Sequence, residues 1–150
     1  MSSISLYTRT RNLSRKVLLA YIKEVLNLLH KEYHTPYHKK IKFKIYRYKA
    51  PKRKPGVYVL RRNTKNYDNM ADWVKEDNLI TIHLKRNKTI KSLTASLLHE
   101  YCHYTQNMKL YFNYDKKFGY WKNPYEIQAE EFAMNNVNRA FTECSWVFGE

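Results

Sequence analysis

The chain has little of the covalent and compositional machinery that small proteins often lean on. Its 150 residues include only 2 cysteines, Cys102 and Cys144, too few for a disulfide framework. Both are expected to be reduced thiols that fill the core. With 3 Gly and 4 Pro there is no low-complexity stretch, internal repeat or linker, so a single domain over 1–150 with one core is predicted. Met1 to Arg15 lacks the apolar run of a signal peptide, and no later stretch has the length and hydropathy of a membrane span. The expectation is a cytoplasmic protein with no membrane association. Acidic residues are also missing over a long interval, with none between Glu32 and Asp68.

That gap concentrates the charge. The net charge is +15, and residues 39–65 carry Lys39, Lys40, Lys42, Lys44, Arg47, Lys49, Lys52, Arg53, Lys54, Arg61, Arg62 and Lys65, interleaved with Tyr46, Tyr48 and Tyr58. Cations neutralise phosphates and aromatic faces stack on bases, so this window is a candidate nucleic-acid surface. Its candidate contacts are Lys42, Lys44, Arg47, Lys52, Arg53, Lys54, Arg61 and Arg62. Another acidic partner would be served by the same surface, and a genome rich in A and T yields a similar composition.

The most specific chemical signal is His99-Glu100-Tyr101-Cys102-His103, an HExxH. On a helix, histidines four apart lie one turn above the other on one face, so both imidazoles can reach one metal ion. Glu100 can lean over that face toward a water on the metal. Two zinc ligands and a general base are what zinc-assisted amide hydrolysis requires. Two histidines satisfied structurally on a core helix are the plainer alternative. Cys102 points away from the His99–His103 face and is not expected to be a ligand.

Two histidines and a water do not complete a tetrahedral site, so a third protein ligand is sought downstream. Asn123-Pro124-Tyr125-Glu126 has the form of a helix start, with Asn123 as N-cap and Pro124 at the first helical position. Glu126 and Glu130 are four apart and share a face. Either Glu126 closes a capping box and Glu130 is solvated helix surface, or the pair belongs to the metal site.

An HExxH followed by a helix with Glu126, Ala129 and Glu130 resembles the gluzincin zinc peptidases, with the phrase Ala129-Glu130-Glu131-Phe132-Ala133 similar to small bacterial, archaeal and phage members. The resemblance covers about residues 89 to 135. It implies a minimal zincin-like metallopeptidase domain, a Zn2+ cofactor held by His99, His103 and Glu126, and Glu100 as catalytic base. It makes Glu130 the partner that orients the first motif histidine, where family members commonly have Asp. It also implies a protein or peptide substrate. The metzincin extension is not met, because Gln106 and Lys109 occupy its positions, and no histidine follows His103 to serve as a third imidazole.

Apolar periodicity predicts a helix over 13–33 with Ser14 as its cap, and strands over 41–48, 57–60 and 79–84. It predicts the motif helix up to about Asn107 behind Thr89, a tyrosine-rich loop over 109–122, and a last helix over 124–142. Strands grouped ahead of helices indicate an α+β class: an N-terminal helix, a small mixed or antiparallel sheet, the HExxH helix and the glutamate-bearing C-terminal helix. In peptidases of the resembling kind an edge strand beside the motif helix binds substrate. Leu79 to Leu84 is the candidate for that strand, and His83 on it is a candidate substrate contact. Tyr111, Tyr114 and Tyr120 are candidate oxyanion or substrate contacts. His30, His34 and His38 repeat every four residues, but Pro36 interrupts any helix that would align them, so no second metal site is expected.

Three functions follow as alternatives. They are a zinc endopeptidase, the same enzyme acting on nucleic-acid-bound proteins, and a non-enzymatic binding module with a structural zinc site.

Overall fold

The structure is a computed structural model that describes residues 4–33, 42–46, 71–74, 79–84 and 87–149. Its core is helix packed on helix. Helix α1 is Arg15–Tyr33, and its buried Leu18, Tyr21, Ile22, Val25, Leu26 and Leu29 recur at helical spacing. Ser14 starts it by accepting a hydrogen bond from the Val17 N–H at 3.1 Å. Helix α2, Ile90–Thr105, carries the HExxH and is the most enclosed element, with Ile90, Leu93, Leu97, Leu98, Tyr101 and Tyr104 buried. Helix α3 is Met108–Phe118 and helix α4 is Pro124–Cys144.

Small side chains set the spacing of the central pair. The face of α4 turned inward is Ala129, Ala133, Val137, Ala140 and Cys144. With so little volume between backbones, α4 lies tight along α2, and a carboxylate one turn into α4 can touch an imidazole on α2.

The start of α2 is anchored by several hydrogen bonds. Thr89 caps it, accepting from the Ser92 N–H at 3.1 Å. The N-terminal segment supplies acceptors for first-turn donors: the Ile90 N–H reaches the Thr8 oxygen at 3.0 Å and the Lys91 N–H the Leu6 oxygen at 2.7 Å. Asn87, fully buried, accepts from the Ser96 hydroxyl at 2.7 Å and the Ser92 hydroxyl at 3.2 Å through its Oδ1. Thr94 donates to the Ile90 carbonyl at 2.7 Å, so its one proton is used, and the Tyr21 hydroxyl 2.6 Å away must be the donor to Thr94.

Besides two short 3-10 helices, Thr10–Asn12 and Ser145–Phe148, there are three short strands: β1 Lys42–Tyr46, β2 Ala71–Val74 and β3 Leu79–His83. They run in the order β1-β3-β2, with β1 parallel and β2 antiparallel to β3.

Three expectations are corrected here. The α+β class is overturned: the described residues are mostly helical, and the core lies between helices rather than on a sheet. The described core is drawn mainly from α1, α2 and α4, so the sheet layer that the class requires is not supported. Second, Leu79–His83 is not an edge for a substrate strand, because β1 and β2 take both of its sides. Third, residues 109–122 are not a loop but mostly α3. Asn107 caps that helix through the Leu110 N–H at 3.2 Å, and Gly119 ends it at φ 78, where a side chain would be strained.

The helices predicted at 13–33 and 124–142 correspond to α1 and α4, and the motif helix stops at Thr105. The strand predicted at 57–60 lies outside the described residues. Among the described residues, no helix is long and apolar enough to cross a membrane.

Candidate metal centre

His99 and His103 project from one face of α2, with ring centroids 4.8 Å apart. Their Nε2 atoms are 3.2 Å apart. Glu126, in the first turn of α4, places Oε1 at 3.0 Å from His99 Nε2 and 3.1 Å from His103 Nε2. Two nitrogens and one carboxylate oxygen therefore form a nearly equilateral triangle. A tetrahedron with ligand bonds of about 2.0–2.1 Å has edges of about 3.3 Å, so the triangle is close to one face of a zinc site. Two imidazoles and a carboxylate suit zinc and similar transition metals better than magnesium or calcium, which prefer oxygen.

The surrounding groups fit that reading. Glu130 Oε2 lies 3.2 Å from His99 Nδ1. A carboxylate only accepts, so Nδ1 carries the hydrogen and, in the neutral ring, Nε2 faces the triangle with its lone pair. Tyr111, on α3, donates a short hydrogen bond from its hydroxyl to the other carboxylate oxygen of Glu126. Its ring stands edge-on to His103 at 5.4 Å. Glu100 is buried, its Oε2 is 3.7 Å from His99 Nε2, and the ligand atoms of His99, Glu100 and His103 all fall within 4.8 Å of one another.

The electrostatics favour a cation at this point. Burial would raise the Glu126 carboxyl, but the hydrogen bonds that His103 and His99 donate when their rings are protonated, together with the one from Tyr111, outweigh it and hold the group well below the ordinary carboxylate range. Burial opposes charge on His103 as well. The Glu126 hydrogen bond and the charges of Glu100 and Glu126 prevail, and the imidazole pKa is raised. Cys102 stays out of the cluster: burial pushes its thiol up to about 11, and its sulfur contacts Gln106 Nε2 at 3.7 Å.

The structure thus brings together His99, Glu100, His103, Glu126 and Glu130. The other candidates are placed as follows. Tyr114 packs edge-on against Tyr125 at 5.3 Å, and exposed Tyr120 packs against Trp121 at 5.0 Å. Tyr111 is beside the site but engages Glu126 rather than standing clear as an oxyanion donor. His83 ends β3, opposite Tyr46. Lys42 and Lys44 lie on β1. Arg47, Lys52, Arg53, Lys54, Arg61 and Arg62 lie outside the described residues, as do His34 and His38, while His30 Nδ1 meets the Tyr101 hydroxyl at 3.0 Å.

Besides the hydrogen bond from Tyr111 to Glu126, a contact of Gln106 goes beyond the sequence reading. Gln106, which served there only to exclude the metzincin pattern, touches His103 Nδ1 at 2.7 Å. Its position one turn after the second histidine was the available signal.

No protein-family model, curated protein or solved structure matches the chain.

Proposed function

We propose that the chain is a zinc-dependent peptidase of the gluzincin type, with His99, His103 and Glu126 as ligands and Glu100 as base. The observation that carries this reading is the approach of Glu126 Oε1 to both imidazoles at 3.0 and 3.1 Å across two helices. Zinc held there supplies Lewis acidity, polarising a peptide carbonyl and lowering the pKa of water. Glu100 takes a proton from the attacking water at its carboxylate and passes it to the leaving amine. Glu130 holds the His99 ring in orientation, and Tyr111 holds Glu126 so that one carboxylate oxygen faces the histidines.

The structural-zinc alternative is less well supported. A structural site closes with a fourth protein ligand, often a thiolate. Here the nearby thiol is turned to Gln106, and Glu100 is read as the base rather than a fourth ligand, its carboxylate lying 3.7 Å from His99 Nε2. Zinc content and cleavage of an unfolded protein substrate by wild type and Glu100→Gln test the proposal together. Bound zinc with cleavage lost only in the variant supports it. A wild type without zinc, or a variant that still cleaves, overturns it.

A further inference from the structure

Gln106 is the C-cap residue of α2, three positions after His103. Its side chain bridges the end of the motif helix and the first turn of α4. Nε2 lies 2.9 Å from the Tyr125 main-chain oxygen and 2.7 Å from Gln128 Oε1. Oε1 lies 2.7 Å from His103 Nδ1.

These contacts form a one-way chain of constraints. A main-chain carbonyl has no proton to give, so the Gln106 amide must turn its NH2 toward Tyr125. Its oxygen is then directed at His103. An amide oxygen only accepts, so the imidazole must carry hydrogen at Nδ1. In the neutral ring the lone pair is left on Nε2, which faces His99 Nε2 and Glu126 Oε1. The constraint originates at Tyr125, next to Glu126, so one side chain sets a tautomer on α2 and ties that helix to the turn bearing the carboxylate.

We propose that Gln106 is a positioning residue of the metal centre, holding His103 as its Nδ1–H tautomer so that Nε2 is presented to a divalent cation. The inference rests on the metal-site reading above. On the other histidine Glu130 has the corresponding place, but its contact is longer, 3.2 Å against 2.7 Å, and its side chain is 65% exposed. Gln106 should therefore be the more influential of the two.

The test uses the full chain. Long-range proton–nitrogen spectra of the metal-free, 15N-histidine-labelled protein, taken where the imidazole is neutral, read the tautomer directly. Wild type should show His103 with hydrogen on Nδ1, and Gln106→Leu should lose that preference. Titration with zinc alone against a competing chelator should find Gln106→Leu weaker by about 10- to 100-fold. Gln106→Glu, which keeps an acceptor at Nδ1 but not the donor to Tyr125, should return affinity to near wild type. That rescue separates action through the imidazole from a simple strut between helices. A wild-type His103 with hydrogen on Nε2, unchanged zinc affinity in Gln106→Leu, or a Gln106→Glu as weak as Gln106→Leu would overturn the proposal. If Gln106→Leu does not fold, the wild-type spectra and Gln106→Glu still decide it. Failure of wild type to bind zinc would instead remove the metal-centre reading, while the metal-free spectra still report on Gln106.

Discussion

The two halves of α2 are built on opposite terms. From Thr89 to Leu98 the helix is scaffold: a side-chain cap, acceptors from the N-terminal segment, and leucines and isoleucine with no exposed surface. From His99 to Gln106 it still lends Tyr101 and Tyr104 to the core, the Tyr101 hydroxyl meeting His30 of α1, but it also buries Glu100 and His103 and sets His103 against α3 and α4. Burying ionisable groups is costly unless they are paired, and here His103 is paired with Glu126 and Gln106, and Glu126 with Tyr111. The apolar half can hold the helix still while the polar half meets that cost. Substitutions should divide accordingly: those at the polar side chains of the second half change metal and chemistry, and those at core positions change stability.

The sharpest contrast is expected at the chemical centre. Glu100→Gln should retain zinc and lose about 10²- to 10⁴-fold in cleavage rate, measured on an unfolded protein substrate. Zinc loss with that substitution would place Glu100 among the ligands instead. Glu126→Ala should lose stoichiometric zinc by metal analysis, since two histidines alone leave the site open. Zinc content equal to wild type would remove Glu126 from the ligand set. In the scaffold half, Leu97→Ala should cost about 2–5 kcal/mol in denaturant unfolding of the metal-free protein, with zinc stoichiometry kept. A loss of zinc there without a loss of stability would erase the proposed division.

Two smaller effects sharpen the same line. Glu130→Gln should weaken zinc by about tenfold or somewhat more, at the low end for an outer partner because the carboxylate is largely exposed. A larger drop than that of Gln106→Leu would reverse the ranking of the two histidine partners. Thr89→Ala removes a cap and should cost about 1 kcal/mol of stability, read by thermal or chemical melting, with no change in zinc affinity.

How much of this was legible before the fold was known varied by region. The starts of α1, α2 and α4 were readable because Ser14, Thr89 and Asn123 are caps with a local mechanism. Helix α3 is legible mainly at its ends, Asn107 at the start and Gly119 at the end, because among its tyrosines and lysines there are few aliphatic residues to mark a buried face. The α+β class failed because alternation such as Lys42-Phe43-Lys44-Ile45 predicts a strand but not how much of the core a strand supplies. The edge-strand expectation failed because strand order is a long-range property.

What the chain's order of residues determined was local: two imidazoles one turn apart, a glutamate between them, and a capped helix bearing two more acids. Those follow from the period of a helix, which any four-residue spacing inherits. Tertiary structure alone decided that Glu126 meets both histidines, that Tyr111 and Gln106 close around them, and that the core lies between helices. These outcomes depend on how near α4 can come to α2. That distance is set by the alanines on their shared seam, through packing across residues far apart in the chain.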